Sequence, residues 1–272
     1  METLVTSPVV NGTPMTSGPA LLVVGHPGHE LMVHGWLEAA RPLVMVLTDG
    51  SGHAGVSRLP STAALLARAG ATPGPIFGRF TDVELYRALL DLRTDVFADL
   101  VEELASAIGQ HQIAVVAGDD AEGFNPTHDV CRLIVDAAVS TARGRGRSVV
   151  NTAFALMDAP GRRAQPGVAS RSILTLTDAA LERKLGAALQ YPEMAAEVAA
   201  ARGRLGDEAF RIEAFRHVRD CEVWTPGDVP PDYERYGRQR VEEGVYPEII
   251  CYEQHMRPLA ELLTARSMRE AS

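Results

Sequence analysis

An α/β fold is predicted for residues 20–272, a mostly parallel sheet flanked by helices with a C-terminal helical extension from about residue 178. Three observations carry it. Apolar runs at 21–24, 42–48 and 112–118 have the length and β-branched content of strands buried on both faces. Each run ends in a loop rich in glycine, histidine or acidic residues, and each loop leads into a stretch of helical periodicity. Strand–helix alternation of this kind gives right-handed βαβ units and a sheet covered on both sides.

The first strand, 21–24, stops at Gly25, and Pro27 sets a tight turn before a helix that begins near Glu30. His26 and His29 lie in that turn, just past the strand's carboxyl end, where open α/β sheets place their ligands. The second strand ends in Asp49-Gly50-Ser51-Gly52-His53-Ala54-Gly55, a loop whose glycines allow close backbone approach to a ligand. A helix over 61–68 follows Arg58 and Pro60. Residues 76–82 read as a short extended segment, with Thr81 or Asp82 capping what comes next. Leu85, Leu89, Leu92, Val96, Leu100, Val101, Leu104 and Ile108 recur at helical spacing, which predicts one long amphipathic helix with a break to be looked for near Asp91. The third strand, 112–118, is followed by an acidic loop, 119–129, and a helix from Val130 to about Thr141.

Beyond residue 148 the pattern loosens. Strands are expected at 149–150, 173–176 and 218–224, and helices at 178–189, 194–205, 207–216, 233–244 and 249–265. The loop 161–169 is the expected mobile segment. Residues 1–19 carry Ser, Thr, Pro, Gly and Asn without a basic start or a long apolar stretch; a disordered arm is expected there, not a secretory signal.

Composition narrows the function. A net charge of −9 supplies no basic field for nucleic acid, and the arginines at 143–147 and 162–163 form only short clusters. No apolar run approaches a membrane span. Three widely spaced cysteines suit a reducing cytoplasm and form neither a disulfide framework nor a thiolate metal site. The expected partner is a small molecule, and homo-oligomerisation is left open.

His128 follows the third strand, so strand-end loops bring it to the same sheet edge as His26 and His29. Three imidazoles at one place make a facial site with open positions, the pattern of a catalytic zinc. Nitrogen donors also suit Zn2+ better than hard, oxygen-preferring ions.

The stretches Gly25-His26-Pro27-Gly28-His29-Glu30, Thr48-Asp49-Gly50-Ser51 and Asn125-Pro126-Thr127-His128 resemble the PIG-L/LmbE-like metal-dependent deacetylases. Members of that family usually carry Ala-His-Pro-Asp-Asp-Glu, Thr-x-Gly-Glu and His-Pro-Asp-His at the corresponding places. The resemblance runs from about Leu21 to Ala138 and more weakly through Leu189-Gln190-Tyr191. It implies a Rossmann-like fold and a metal-dependent hydrolase acting on the C–N amide bond of an N-acyl amino sugar or another small-molecule conjugate through a metal-bound water. In that alignment His26 and His128 keep their ligand positions, and His29 replaces a ligand aspartate. Gly28 stands where the family has its general base, and Asn125 replaces a histidine that stabilises the transition state.

A replacement base has to come from elsewhere, and Glu30, Asp49, Asp82 and Asp120 are the carboxylates available. Each has an ordinary alternative. Glu30 can complement a helix dipole, Asp49 can back a histidine, and the acidic loop around Asp119, Asp120 and Glu122 can simply be solvated. Asn125 can donate to an oxyanion. Ser51, Arg58, Asp82 and His255 are the candidate substrate contacts; Asp82 is equally placed to be a cap, and His255 lies with Tyr246 and Tyr252 where a C-terminal segment could close over the site. Three readings follow: a zinc hydrolase of an N-acyl bond, a metalloenzyme repurposed for other chemistry, and a non-catalytic ligand-binding protein.

Overall fold

The computed structural model describes residues 9–10, 13–15, 18–52, 55–156, 171–218, 225–227 and 229–270. Strands β1 (Val9–Val10) and β2 (Thr13–Pro14) pair as a small antiparallel ribbon. The main sheet has seven strands in the order β5-β4-β3-β6-β7-β9-β8. They are β3 (Ala20–Val24), β4 (Leu43–Thr48), β5 (Thr72–Phe80), β6 (Val115–Asp119), β7 (Val150–Phe154), β8 (Arg171–Thr175) and β9 (Ile212–Val218). The first five run parallel, and β9 lies antiparallel between β7 and β8.

The apolar runs explain the layers. Along β3, Leu21 and Val23 enter one core, while Leu22 and Val24 enter the other. The first core is built with α4 (Thr94–Gln110), α5 (Pro126–Gly144) and α9 (Arg257–Glu270). The second holds α1 (His34–Ala40), α2 (Leu59–Ala69) and α6 (Asp178–Leu189), with Trp36 and Phe215 among its buried side chains. A strand buried on both faces has no polar side to alternate, which is why these runs are continuously apolar.

The sheet extends from β3 to β4 and β5 on one side and to β6 on the other. The strand order therefore reverses at β3, and the carboxyl ends of β3 and β6 open a crevice there. His26 and His29 follow β3, and Asp119 ends β6.

Several expectations change. The long helix divides into α3 (Asp82–Leu90) and α4, with Leu92 between them at a φ of 48°. Thr81 caps α3 in a reciprocal capping box with Glu84. The piece expected to be helical over 207–216 is a 3-10 turn only to Arg211; strand β9 then starts at Ile212, so the C-terminal part is not purely helical. The strand expected over 218–224 shares only Val218 with β9, and 219–224 lie outside the described residues, as does the loop 161–169. A π turn at Tyr252–Met256 precedes α9. Met15, within the stretch expected to be a disordered arm, is fully buried, and its carbonyl accepts the Trp36 indole N–H at 2.9 Å. Helices α7 (Ala195–Leu205) and α8 (Asp232–Glu242) complete the chain, and no helix among the described residues is long and apolar enough to cross a membrane.

Candidate functional site

The crevice gathers His26, His29 and His128. Their ring centroids are 5.3 Å (His26–His29), 5.4 Å (His26–His128) and 4.6 Å (His29–His128) apart. Local structure delivers each one. The β3–α1 turn carries the first two, with Gly28 at a φ of 105° starting a 3-10 turn at His29–Val33. His128 sits in the first turn of α5, which Asn125 caps by accepting from Thr127 N–H at 2.8 Å. Gly25 permits the close packing, because a Cβ there would lie 3.2 Å from Asp119 Oδ2 and 3.1 Å from Thr127 Cγ2.

Two imidazoles are oriented from behind. His29 Nδ1 is 2.8 Å from Asp119 Oδ2, and that oxygen also accepts Gly25 N–H at 2.7 Å. His26 Nδ1 is 2.8 Å from Thr48 Oγ1 and 3.0 Å from Asp82 Oδ1. Burial opposes ionisation of Asp82, but His26, Thr48 and the Gly52 N–H outweigh it and hold its carboxyl down at about 2. Burial alone would lower the His29 pKa, yet Asp119 overrides it and the net shift is upward. His128 has no such carboxylate; burial and the neighbouring His29 and His26 put it well below the ordinary histidine value, so it is a neutral donor.

These residues fit a divalent metal in donor chemistry. From Zn–N bonds of about 2.0–2.1 Å and tetrahedral angles, three imidazoles on one zinc would have centroids roughly 5 Å apart. Nε2 of His26 and Nδ1 of His128 are buried without a hydrogen-bond partner. Carboxylates behind His26 and His29 are the usual outer-shell arrangement of metal-binding histidines. Among the described residues, however, no three His, Cys, Asp or Glu side chains are already gathered as a cage that could hold an ion. The spacing of the ring centroids is what suits a metal.

The four candidate bases are all engaged, Asp82 by His26 and by the Gly52 N–H at 2.6 Å. Glu30 is fully buried, accepts Gly28 N–H at 2.8 Å and Thr62 Oγ1–H at 2.7 Å, and so anchors the histidine turn. Asp49 closes its own turn by accepting the Ser51 N–H (2.9 Å) and Ser51 hydroxyl (2.6 Å), which occupies Ser51 as well. Asp120 pairs with Arg216 at 2.6 Å. Asn125 fares differently. Its Oδ1 accepts from Thr127 N–H and, at 3.3 Å, from the Tyr86 hydroxyl, which leaves its Nδ2 to donate elsewhere. Burial pushes Tyr86 up to about 12, so it stays a donor.

Arg58 reaches the site beside Met194, its Nη1 3.7 Å from Sδ. Asp82 joins the site through His26 and is not the cap of α3, since Thr81 has that role. His255 bonds locally to the Cys251 backbone, with Nδ1 2.9 Å from its N, and makes no contact with the histidine trio. His53 lies outside the described residues.

Sequence reasoning missed two features. Asp119 was one acidic residue among several, although its place as the last residue of β6 was the available signal. Met194 had no signal; a Cβ on Gly28 would lie 3.2 Å from its Sδ, so the thioether fills the space into which a carboxylate at position 28 would extend.

No family model matches the chain, and no curated protein matches it. Solved structures do resemble it. A deacetylase triple mutant (Orf2*T) of the teicoplanin biosynthetic pathway superimposes with a TM-score of 0.54 at 16% identity, covering 74% of this chain and 98% of that one. The A40926 pseudoaglycone deacetylase Dbv21 gives 0.53 at 20% identity, over 74% and 97%. The zinc-inhibited form of teicoplanin deacetylase Orf2 gives 0.52 at 15%, over 74% and 98%. At such identities the likeness is one of fold, and the chain has the α/β fold of these deacetylases.

Proposed function

We propose that this protein is a divalent-metal hydrolase of the deacetylase kind, acting on the C–N amide bond of a small-molecule conjugate, with an N-acyl amino sugar as the leading substrate class. The observation that carries the reading is the convergence of His26, His29 and His128, two of them backed by Asp82 and Asp119. The resemblance of motifs and the shared fold with deacetylases support it. A bound divalent metal, zinc in the first instance, would polarise the amide carbonyl and lower the pKa of a water.

The chain's own groups have distinct tasks. His26, His29 and His128 hold the metal, and Asp82 and Asp119 fix the rings of the first two. Asn125 presents its amide Nδ2–H to the developing oxyanion, oriented by Tyr86 and Thr127. No dedicated carboxylate base is assigned, because Glu30, Asp49, Asp82 and Asp120 are all bound to other groups of the chain. Zinc-loaded protein incubated with N-acetylglucosamine conjugates is expected to release free amine and acetate slowly, and a chelator should stop it. Absence of free amine by mass spectrometry across a panel of N-acyl conjugates would remove the hydrolase part of the reading.

One observation favours altered chemistry on the same scaffold: glycine and a thioether occupy the place of the base. Gly28→Asp alone is expected to gain little, because φ is positive and Met194 fills the space. Gly28→Asp combined with Met194→Ala, which opens the space but leaves the positive φ, should raise deacetylation by at most the about 10² to 10⁴-fold that a positioned general base is usually worth. An unchanged rate in the double variant, with zinc bound, would mean that the site serves a different reaction.

A further inference from the structure

Arg58 differs from most arginines described here. Arg79, Arg93, Arg145, Arg183 and Arg216 each meet a carboxylate. Arg58 is half-buried, and its guanidinium touches only the thioether of Met194. Two carboxylates that share the surroundings of Tyr191 with Arg58 are turned to hydroxyls instead. Glu30 takes Thr62 Oγ1–H at 2.7 Å, and both oxygens of Glu193 accept from Ser61 Oγ, at 3.0 and 2.8 Å.

The backbone of Arg58 is pinned. Its N–H donates to Asp49 O at 2.9 Å, and its carbonyl accepts from Ser61 N–H, Thr62 N–H and the Tyr191 hydroxyl. The side chain passes Gly50 and ends beside the methionine that covers Gly28, between His26 and His29. A half-buried guanidinium that meets no carboxylate within ion-pair distance keeps its donors for an anionic ligand. A guanidinium offers five N–H donors in a fork that matches a carboxylate or phosphate.

We propose that Arg58 forms an oxyanion-group subsite, so that the molecule bound beside the histidine trio carries a carboxylate or a phosphate. The inference deepens the hydrolase reading and rests on it for the reaction, while the anion subsite stands on the Arg58 geometry alone.

Calorimetric titration of three probes tests it: neutral N-acetylglucosamine, N-acetylglucosamine 6-phosphate, and N-acetylmuramic acid with its carboxylate. At low ionic strength at least one charged probe is expected to bind about tenfold or more tightly than the neutral one, as charge-assisted bidentate bonds allow. The better of the two charged probes identifies the group. Arg58→Gln should abolish the preference, and Arg58→Lys should keep part of it. Far-ultraviolet circular dichroism and melting confirm that the variants fold. Equal affinity for all three probes, including no binding of any, overturns the proposal, as does a preference that survives Arg58→Gln. A charge preference without any amide cleavage would sink the hydrolase reading and leave the subsite standing; cleavage without charge dependence would do the reverse.

Discussion

His128→Ala is expected to lower zinc affinity by more than about 100-fold. Outer-shell partners of metal-binding histidines are worth about 10 to 100-fold, and an inner ligand should exceed that. A proton on His128 is disfavoured by burial and by the neighbouring His29 and His26, so it is already in the state that a metal requires. Asp119→Asn supplies the graded control. It keeps the shape behind His29 Nδ1, removes the charge that orients the ring, and should weaken binding within the 10 to 100-fold range. Competition against a chelator of known affinity measures both. Full zinc occupancy of His128→Ala under that competition would place the metal elsewhere. Equal losses in both variants would argue for a general disturbance of the crevice, which thermal melting of the metal-free proteins would detect.

Glu213→Ala should cost about 3 to 5 kcal/mol of stability, the usual penalty for stranding one partner of a buried ion pair. Glu213 lies on β9, is 1% exposed, and meets Lys184 of α6 at 2.8 Å. The same carboxylate accepts Gly35 N–H and Trp36 N–H, both at 2.8 Å, so it caps the start of α1 from a strand 178 positions away from Gly35. Removing it strands an ammonium group and two helix-terminal amides at once. For a chain of this size the loss corresponds to a fall in melting temperature on the order of 10 °C. Adding Lys184→Met to Glu213→Ala should recover part of the stability, because the buried charge is then gone from both sides. A fall below about 1 kcal/mol in Glu213→Ala would mean that water reaches this junction. Because α1 continues from the turn that holds His26 and His29, this buried pair also supports the site.

The sequence by itself determined the central layers and the sheet edge at which three histidines meet. Runs such as 21–24 and 42–48 are continuously apolar because strands buried on both faces must be, and that property is visible without any tertiary information. Breakers such as Gly25 and Pro27 mark where a strand must end, and strand ends of parallel sheets converge on one edge, which is why His26, His29 and His128 could be assembled from spacing. Local periodicity was a poorer guide after residue 148: β9 enters the sheet antiparallel, and its residues were divided between an expected helix and an expected strand.

Only the tertiary structure decided which polar groups meet. Asp119 stands behind a histidine 90 positions away, Glu30 is absorbed by Thr62, and Met194 occupies the space beside Gly28. Sequence patterns report the period and the interruption of a chain segment. Which carboxylate is left free, which is held by a hydroxyl and which arginine lacks a partner depend on strand register and on how the helices cross the sheet, and these are set by the packing of the whole chain.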